Sequence, residues 1–284
     1  MVSIEDYGEF ETAWCPGCGN FGILKAIKQA LVNLGRSPHE VLVASGIGQS
    51  SKTPHYLNCN SFNGLHGRSL PPATGAKIAN HELTVIAVTG DGDCYGEGGN
   101  HFLHTVRRNP DITMIVHDNQ IYGLTKGQAS PTSEIGMKTK VQTHGVFNMP
   151  LNPLSLAISL DCSFVARGYA GKVSHLTSLI EKAIEHKGLS LVDVLQPCVS
   201  FNKLNTFKWY SERVYEMDDT GYELNDRVRA FEKSMEWGEK IPLGVFYVNE
   251  KPCFEDYLDV LKSGPLYRNP PATEKVNDLI DSFI

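Results

Sequence analysis

Two strand-like segments end in polar residues that could together hold a metal ion and a diphosphate. The segment LTVIAVTGDGD delivers Gly90, Asp91 and Gly92, and the segment ITMIVHDNQ delivers Asn119. Because parallel strands end at one edge of a sheet, we expect Asp91 and Asn119 to point at one place. Their side-chain oxygens, with a backbone carbonyl and phosphate oxygens, would make a suitable Mg²⁺ site. The two flanking glycines would let the backbone approach a diphosphate closely.

The second reactive group is the cysteine pair in WCPGCGN, Cys15 and Cys18. Two cysteines at this spacing occur in dithiol redox sites, in zinc sites and in iron–sulfur clusters. No strong strand precedes the pair, as a thioredoxin-like site would need, and no second C-x-x-C motif completes a zinc site. The chain has seven cysteines, an odd number that does not fit a disulfide framework. The residues alone leave the three kinds of site open.

The elements that must position these residues follow from the hydrophobic pattern. The apolar runs EVLVASGIG, LTVIAVTGDGD, ITMIVHDNQ, SFVARGYAG and LSLVDVLQPC alternate with segments of helical period, such as residues 21–34 and 174–187. This alternation predicts an α/β fold with a doubly wound parallel sheet, which binds ligands at the carboxyl ends of its strands. The pattern weakens after residue 204. We therefore predict an α/β domain over residues 1–204 and a C-terminal extension over 205–284 that packs on the core or on another subunit, with a helix near 224–237 and the strand GVFYV.

Composition excludes several classes of function. Of the 284 residues, 41% are hydrophobic and 20% are charged, and the net charge is −6. Mixed charges of this kind do not form the dense basic surface that nucleic-acid binding needs. No apolar run approaches the roughly 20 residues that span a bilayer, and the acidic start MVSIEDYGEF lacks the pattern of a signal peptide. We expect a cytoplasmic protein that binds neither nucleic acid nor membrane.

Six stretches occur along the chain in an order typical of one enzyme family. They are WCPGCGN, SGIGQSSKTPH, LHGRSLPPATG, GDGDCYGEGGNHF, HDNQIYGLTKGQASPTS and LQPCVSFN. Together they resemble the β subunit of 2-oxoacid:ferredoxin oxidoreductases, from residue 7 to beyond residue 250. The resemblance implies a fold of the thiamine diphosphate-binding type. It also implies oxidative decarboxylation of pyruvate or 2-oxoglutarate to an acyl-coenzyme A and CO₂, with electrons passed through an iron–sulfur cluster to ferredoxin.

The resemblance implies a role for each matching residue. Asp91 and Asn119 would bind Mg²⁺ together with the backbone carbonyl of Ile121. The two catalytic candidates are Lys126, near the carboxylate of the 2-oxoacid, and His66, near the diphosphate. The implied cofactor pocket, in which Gly92 and Asp93 close over the diphosphate, consists of Ser45, Gly46, Ile47, His66, Gly90, Asp91, Gly92, Asp93, Asn119, Ile121, Gly123 and Leu124.

For the cysteines, the resemblance implies a [4Fe–4S] cluster bound by Cys15, Cys18, Cys198 and a fourth cysteine. The fourth falls in a loop that the family writes SGIGCS, where this chain reads SGIGQS and has Gln49. Glutamine is a poor ligand for iron–sulfur clusters, which prefer thiolates. Three hypotheses follow: Cys59 supplies the fourth thiolate, the cluster has three cysteines, as [3Fe–4S] or with a non-thiolate ligand, or the cluster is absent. We favour Cys59.

A partner subunit is also implied. No glutamate of this chain is a convincing activator of thiamine diphosphate, and in the resembled family that residue lies on an α subunit. We therefore expect activity only in a complex with an α subunit, with ferredoxin, coenzyme A and a 2-oxoacid as further partners. Two other hypotheses are a non-oxidative thiamine diphosphate-dependent decarboxylase or synthase subunit, which leaves the cysteines unused, and a non-catalytic iron–sulfur scaffold, which leaves the Mg²⁺–diphosphate residues unexplained.

Overall fold

The elements of the fold are those of a computed structural model that describes residues 2–217, 222–269 and 276–283. Its strands are β1 (Val41–Ser45), β2 (Asn60–Asn63), β3 (Thr84–Gly90), β4 (Thr113–Asp118), β5 (Ile121–Tyr122), β6 (Gln128–Ala129), β7 (Phe164–Tyr169), β8 (Ser190–Leu195), β9 (Val214–Glu216) and β10 (Ile241–Val248). Its α-helices are α1 (Asn20–Asn33), α2 (Leu70–Ala79), α3 (Gly99–Arg108), α4 (Pro153–Ser159), α5 (Val173–Glu185), α6 (Phe207–Ser211), α7 (Arg227–Ser234) and α8 (Val276–Asp281).

Eight of the strands form one sheet in the order β2-β1-β3-β4-β8-β7-β10-β9, and β5 pairs with β6 in a separate ribbon. Neighbouring strands of the large sheet are parallel except β7 and β10, which are antiparallel. The five apolar runs of the sequence form β1, β3, β4, β7 and β8. The predicted α/β doubly wound sheet is therefore confirmed. Its parallel part brings the carboxyl ends of β1, β3, β4 and β8 to one edge.

Helices cover both faces of the sheet. On one face, α1 and α5 pack over Val43, Ile86 and Ile115, and on the other face α2, α3 and α4 pack over Val85 and Met114. Successive residues of β3 thus enter opposite layers, which explains why the strand is apolar throughout. The longest α-helix within the described ranges is α1, with 14 residues, and none of these helices is long and apolar enough to cross a membrane.

The described part of the 205–284 segment continues the same sheet. Strand β10, which contains the predicted GVFYV, pairs with β7, and β9 pairs with β10. Tyr210, Ile241 and Leu243 are buried against Tyr169 and Leu195 of the parallel part. Helix α7 lies within the predicted 224–237 helix and is shorter, because Asp226 caps its start by accepting hydrogen bonds from the backbone of Val228 and Arg229. The extension thus packs on the core of this chain.

Candidate functional site

Most of the predicted site residues follow the carboxyl ends of four parallel strands, where two cavities lie side by side. We call the first the Asp91 groove. Its lining contains every residue of the predicted pocket except Ser45 and Gly46, and consists of Ile47, Gly48, Gln49, Ser50, His66, Gly90, Asp91, Gly92, Asp93, Asn119, Ile121, Tyr122, Gly123, Leu124 and Thr125. We call the second the cysteine cavity. It is lined by Trp14, Cys15, Cys18, Asn20, Gln49, Asn119, Gly123, Gln196, Cys198, Val199, Ser200 and Phe201.

In the Asp91 groove, one carboxylate oxygen is held by protein hydroxyls. Asp91 Oδ2 accepts hydrogen bonds from Ser130 Oγ at 2.5 Å and from Thr132 Oγ1 at 2.8 Å. Asp91 is only 2% exposed, and its burial raises the pKa of the carboxyl group. Across the groove, Asn119 Oδ1 accepts from the backbone N–H of Ile121 at 3.1 Å. The carboxylate, the amide oxygen and the nearby backbone carbonyls fit a hard cation such as Mg²⁺.

Thr132 also contacts a second buried carboxyl group. Its Oγ1 lies 2.7 Å from Asp118 Oδ1 as well as 2.8 Å from Asp91 Oδ2. A hydroxyl carries one proton, so it can donate to only one of these oxygens. The second contact therefore needs a proton on one carboxyl group, and burial with the nearby Asp193 and Asp91 raises the pKa of Asp118 well above its ordinary range. We assign that proton to Asp118, which then donates to Thr132 while Thr132 donates to Asp91.

Asp93 lines the groove but directs its carboxylate into the protein. Its Oδ1 accepts from the backbone N–H of Ile47 at 3.0 Å and of Gly67 at 2.7 Å, and its Oδ2 accepts from Thr89 Oγ1 at 2.6 Å. The two backbone bonds join the loop after β1 to the loop before α2. The closing of Gly92 and Asp93 over a diphosphate stays a prediction. In this structure the carboxylate of Asp93 fixes the two loops that form the groove.

Ser45 and Gly46 lie behind the groove rather than in its wall. Ser45 is completely buried, and its Oγ accepts from Asn63 Nδ2 at 3.1 Å. A Cβ atom on Gly46 would overlap Asp93 Oδ2. The loop can therefore approach Asp93 only because residue 46 has no side chain. In this structure the two residues support the loop that forms the groove, and their part in a cofactor pocket stays a prediction.

The two predicted catalytic residues differ in position. His66 is in the groove wall, with Nε2 3.3 Å from Glu97 Oε2 and 3.6 Å from Asp93 Oδ1. Lys126 is exposed at the tip of the turn between β5 and β6, and has a left-handed backbone conformation with φ of 77°. It lies outside the groove lining. The geometry thus supports His66 as a groove residue and leaves the contact between Lys126 and a substrate as a prediction.

The cysteine cavity brings together three of the four predicted cluster ligands. The backbone N–H of Cys18 donates to the carbonyl of Cys15 at 3.0 Å, and the N–H of Gly19 donates to the carbonyl of Pro197 at 3.3 Å. The second bond ties the C-x-x-C turn to the segment that carries Cys198. Burial raises the pKa of Cys18 to about 11, and the neighbouring Cys198 and Cys15 add to the effect. Cys15, Cys18 and Cys198 thus line one cavity.

Cys59 does not belong to this cavity. It directly precedes β2, which is parallel to β1, so it lies beside the amino end of β1. There it packs in the hydrophobic core that contains Tyr7. The prediction that Cys59 supplies the fourth thiolate is therefore wrong, because the amino ends of parallel strands are at the opposite edge of the sheet. Gln49, which follows the carboxyl end of β1, lines the cavity instead.

The cavity offers three thiols and donors to two of them as the groups that could hold an iron–sulfur cluster. In the described ranges, no three His, Cys, Asp or Glu side chains come close enough together to hold one metal ion. A cluster of several irons is wider than one ion, so its thiolates need not converge on one point. Ser200 Oγ donates to Cys15 Sγ at 3.0 Å, and Gln196 Nε2 donates to Cys18 Sγ at 3.5 Å. Donors of this kind tune iron–sulfur clusters, so the residues fit such a group.

Three residues with contacts in the site were not identified from the sequence. Ser130 and Thr132 hold Asp91, and Gln196 contacts both Asn119 and Cys18. Ser130 and Thr132 belong to GQASPTS, a run of hydroxyl residues after a predicted turn, and Gln196 directly follows β8. Polar residues in these positions were the available signal. Their hydrogen-bond partners depend on the direction of each side chain, and the spacing of residues in the sequence does not reveal that direction.

Comparison with known proteins agrees with this geometry. Residues 39–194 match the family described as thiamine pyrophosphate enzyme, C-terminal TPP binding domain, and residues 198–263 match the family described as the C-terminal part of the pyruvate ferredoxin oxidoreductase beta chain. The chain is 47% identical over 275 residues to the 2-oxoacid:ferredoxin oxidoreductase subunit beta of Saccharolobus solfataricus, which covers 93% of this chain and 90% of the relative. It is 50% identical over 291 residues to the subunit of the same name from a Sulfolobus species, covering 95% of each.

A solved structure is similar over nearly the whole chain. It is the 2-oxoglutarate:ferredoxin oxidoreductase from Magnetococcus marinus with 2-oxoglutarate, coenzyme A and succinyl-CoA bound. The TM-score is 0.91 at 34% sequence identity, covering 99% of this chain and 96% of that one. The predicted resemblance is confirmed by sequence and by fold. The chain belongs to the family of 2-oxoacid:ferredoxin oxidoreductase β subunits.

Proposed function

We propose that this β subunit takes part in the oxidative decarboxylation of a 2-oxoacid, with coenzyme A as acyl acceptor and ferredoxin as electron acceptor. The observation that carries the proposal is the common wall of the two cavities. Gln49, Asn119 and Gly123 line both the Asp91 groove and the cysteine cavity. A cofactor in the groove and a cluster in the cavity would therefore be separated by a single layer of residues.

The Asp91 groove would bind thiamine diphosphate through Mg²⁺. Asp91, Asn119 and the backbone carbonyl of Ile121 would hold the ion, and Gly90 and Gly92 leave room for the diphosphate. Thiamine diphosphate, when bound, supplies the electron sink that decarboxylation of a 2-oxoacid needs. His66 would donate a hydrogen bond to the diphosphate. The hydroxyls of Ser130 and Thr132 keep the carboxylate of Asp91 in place.

The cysteine cavity would hold the iron–sulfur cluster through Cys15, Cys18 and Cys198. Ferredoxin accepts one electron at a time, so a one-electron relay between the groove and the surface is required. Cys15 is exposed, which gives an electron acceptor close access to the site. None of the seven cysteines, which all lie in the described ranges, forms a disulfide, in keeping with the reducing cytoplasm that we infer as the location.

An α subunit would complete the site. The Magnetococcus marinus enzyme binds 2-oxoglutarate and coenzyme A, and we infer ligands of the same classes here, with Lys126 meeting the substrate carboxylate. Lys126 is on an exposed turn, so a partner chain would have to enclose it. The segment after this turn exposes large apolar side chains, with Phe147 82% and Met149 79% accessible. Such exposure is typical of a protein–protein interface.

The test is a reconstituted complex of this chain with its α subunit. We expect CO₂ release and ferredoxin reduction to require a 2-oxoacid, coenzyme A and thiamine diphosphate together. Asp91→Ala should abolish thiamine diphosphate binding measured by calorimetry, while Asp259→Asn, a change at an exposed carboxylate paired with Lys262, should not alter it. Decarboxylation without ferredoxin reduction would favour the non-oxidative hypothesis. A complex that binds no thiamine diphosphate would contradict the proposal.

A further inference from the structure

The side chain of Gln49 faces the cysteine cavity from the loop that follows β1. Its backbone carbonyl accepts a hydrogen bond from Trp14 Nε1 at 2.7 Å, which fixes this residue beside the C-x-x-C turn. Its side chain reaches the common wall, because a Cβ atom on Gly123 would lie 3.7 Å from Gln49 Cγ. The side-chain oxygen Oε1 is buried and has no hydrogen-bond partner within the described structure. A buried carbonyl oxygen without a partner is unfavourable. We therefore expect this oxygen to contact a group that accepts its lone pair, such as a metal ion, when the cavity is occupied.

No fourth cysteine can replace Gln49 at this position. All seven cysteines lie within the described ranges, and only Cys15, Cys18 and Cys198 line the cavity. Cys94 Sγ contacts Met114 Sδ at 3.7 Å in the core, and Cys162 Sγ contacts the carbonyl of Leu189 at 3.4 Å. Among the described lining residues there is also no aspartate or glutamate. The only ligand atoms that this chain offers at the fourth position are therefore neutral.

We propose that the iron–sulfur cluster of this protein is bound by three thiolates, from Cys15, Cys18 and Cys198, and that its fourth iron faces the carboxamide oxygen of Gln49. The inference rests on the proposed function, since it requires a cluster in the cysteine cavity. It deepens that function by making one iron of the cluster chemically different from the other three. A neutral oxygen binds iron in such clusters more weakly than a thiolate does, so the fourth iron is removable.

Removal of the fourth iron as Fe²⁺ needs no oxidant. Loss of Fe²⁺ from a [4Fe–4S]²⁺ core leaves [3Fe–4S]⁰, and the three thiolates remain bound to the three irons that are left. One-electron oxidation by added ferricyanide, which becomes ferrocyanide, then gives [3Fe–4S]⁺, a form detected by electron paramagnetic resonance. A cluster with four thiolates resists the same treatment because every iron keeps a strong ligand.

The experiment uses the complex with the α subunit, prepared without oxygen and treated with EDTA. In the wild-type complex we expect iron to fall from about four to about three per cluster, followed by the three-iron signal after ferricyanide. Gln49→Cys should keep all its iron, and Gln49→Ala should lose the fourth iron at least as fast as the wild type. Cys59→Ala, the matched control at the cysteine outside the cavity, should behave as the wild type does.

Three outcomes would overturn the inference: iron in the wild type that resists EDTA, loss of the cluster in Cys59→Ala, or absence of iron from the wild type. The wild-type result decides by itself, so a Gln49→Cys chain that fails to fold leaves the test intact. Thiamine diphosphate binding is measured on the same samples. If the cofactor binds while the iron behaves otherwise, the inference falls and the thiamine site stands. If the iron is extracted as expected but no cofactor binds, the proposed function falls instead.

Discussion

Asn119 and Cys18 are connected through one side-chain amide, that of Gln196. Asn119 Nδ2 donates to Gln196 Oε1 at 3.0 Å, and Gln196 Nε2 donates to Cys18 Sγ at 3.5 Å. The first bond helps to fix the side-chain amide of Asn119, whose Oδ1 accepts from the backbone N–H of Ile121. The second bond places a donor on the Cys18 sulfur. The same residue therefore contacts both the proposed magnesium site and the proposed cluster site.

Replacing Gln196 with leucine should change two measurable properties at once. Asn119 loses its orienting partner, so we expect Mg²⁺-dependent thiamine diphosphate affinity to fall by about 10-fold or more. The cluster potential should become lower, because a hydrogen bond to a thiolate favours the more negatively charged reduced state. Calorimetry and a redox titration followed by paramagnetic resonance measure the two effects. Gln29→Leu, on the surface of α1, is the control. An unchanged cofactor affinity and an unchanged cluster potential in Gln196→Leu would contradict a role of Gln196 in both sites.

Thr132→Val removes the hydroxyl between Asp91 and Asp118. We expect the free energy of unfolding to fall by about 1–3 kcal/mol, since Asp91 loses a hydrogen-bond donor and the protonated Asp118 loses an acceptor. Mg²⁺-dependent cofactor binding should weaken by about 10- to 100-fold. Thr74→Val is the matched control, because its hydroxyl bonds only to the carbonyl of Leu70 in its own helix. Urea unfolding and calorimetry measure the effects. Equal behaviour of the two variants would contradict a role of Thr132 in the site.

Gly46→Ala should destabilise the protein, whereas Gly75→Ala should stabilise it. The new methyl group at position 46 would overlap both carboxylate oxygens of Asp93. The displaced carboxylate would lose the bonds from Ile47 and Gly67 to Oδ1 and from Thr89 to Oδ2, which we expect to cost about 1–3 kcal/mol or more. At position 75, in the exposed middle of α2, a Cβ atom meets nothing within 4 Å. There the change should add about 0.5–1 kcal/mol through helix propensity. Thermal unfolding of both variants checks the opposite signs.

His117 should make stability depend on pH. It is completely buried in β4, with Nδ1 2.8 Å from Asn20 Oδ1, and burial lowers its pKa to about 3. The folded-state pKa lies below the unfolded value of about 6.5. The stabilisation is therefore complete above about pH 6.5 and is lost as pH falls toward the folded-state pKa.

The expected size of this effect is about 1.4 kcal/mol of unfolding free energy lost between pH 7 and pH 5.5. The His117→Asn variant should lack this part of the pH dependence, so the difference between wild type and variant isolates it from the carboxyl groups. His144→Gln, at an exposed position, should keep the wild-type dependence. If the free energy of unfolding changes equally between the two pH values in wild type and in His117→Asn, the assignment is refuted.

The sequence was sufficient to locate the sheet and the edge where the site lies. β1, β3, β4, β7 and β8 are buried on both faces, so each reads as a largely apolar run, and polar residues follow the carboxyl ends of β3, β4 and β8. Parallel strands bring such ends together whatever their order. This is why Asp91, Asn119 and Cys198 could be placed at one edge before any distance was known.

The direction of a side chain could not be predicted in the same way, and neither could the edge of the sheet at which a residue between two strands lies. Asp93 is two residues from Asp91, yet its carboxylate is directed into the protein by the N–H groups of Ile47 and Gly67. Cys59 is ten residues from Gln49, but an intervening crossover returns the chain to the amino end of the sheet. Sequence distance suggested that Cys59 could take the place of a cysteine at position 49, and the parallel direction of β2 excludes it.

The common wall of the Asp91 groove and the cysteine cavity has a consequence for how this protein can evolve. Because Gln49, Asn119 and Gly123 contribute to both cavities, a substitution that adapts one of them also reshapes the other. A substitution at position 49 is therefore expected to need compensating changes around the groove, so that the two cavities vary as a single unit.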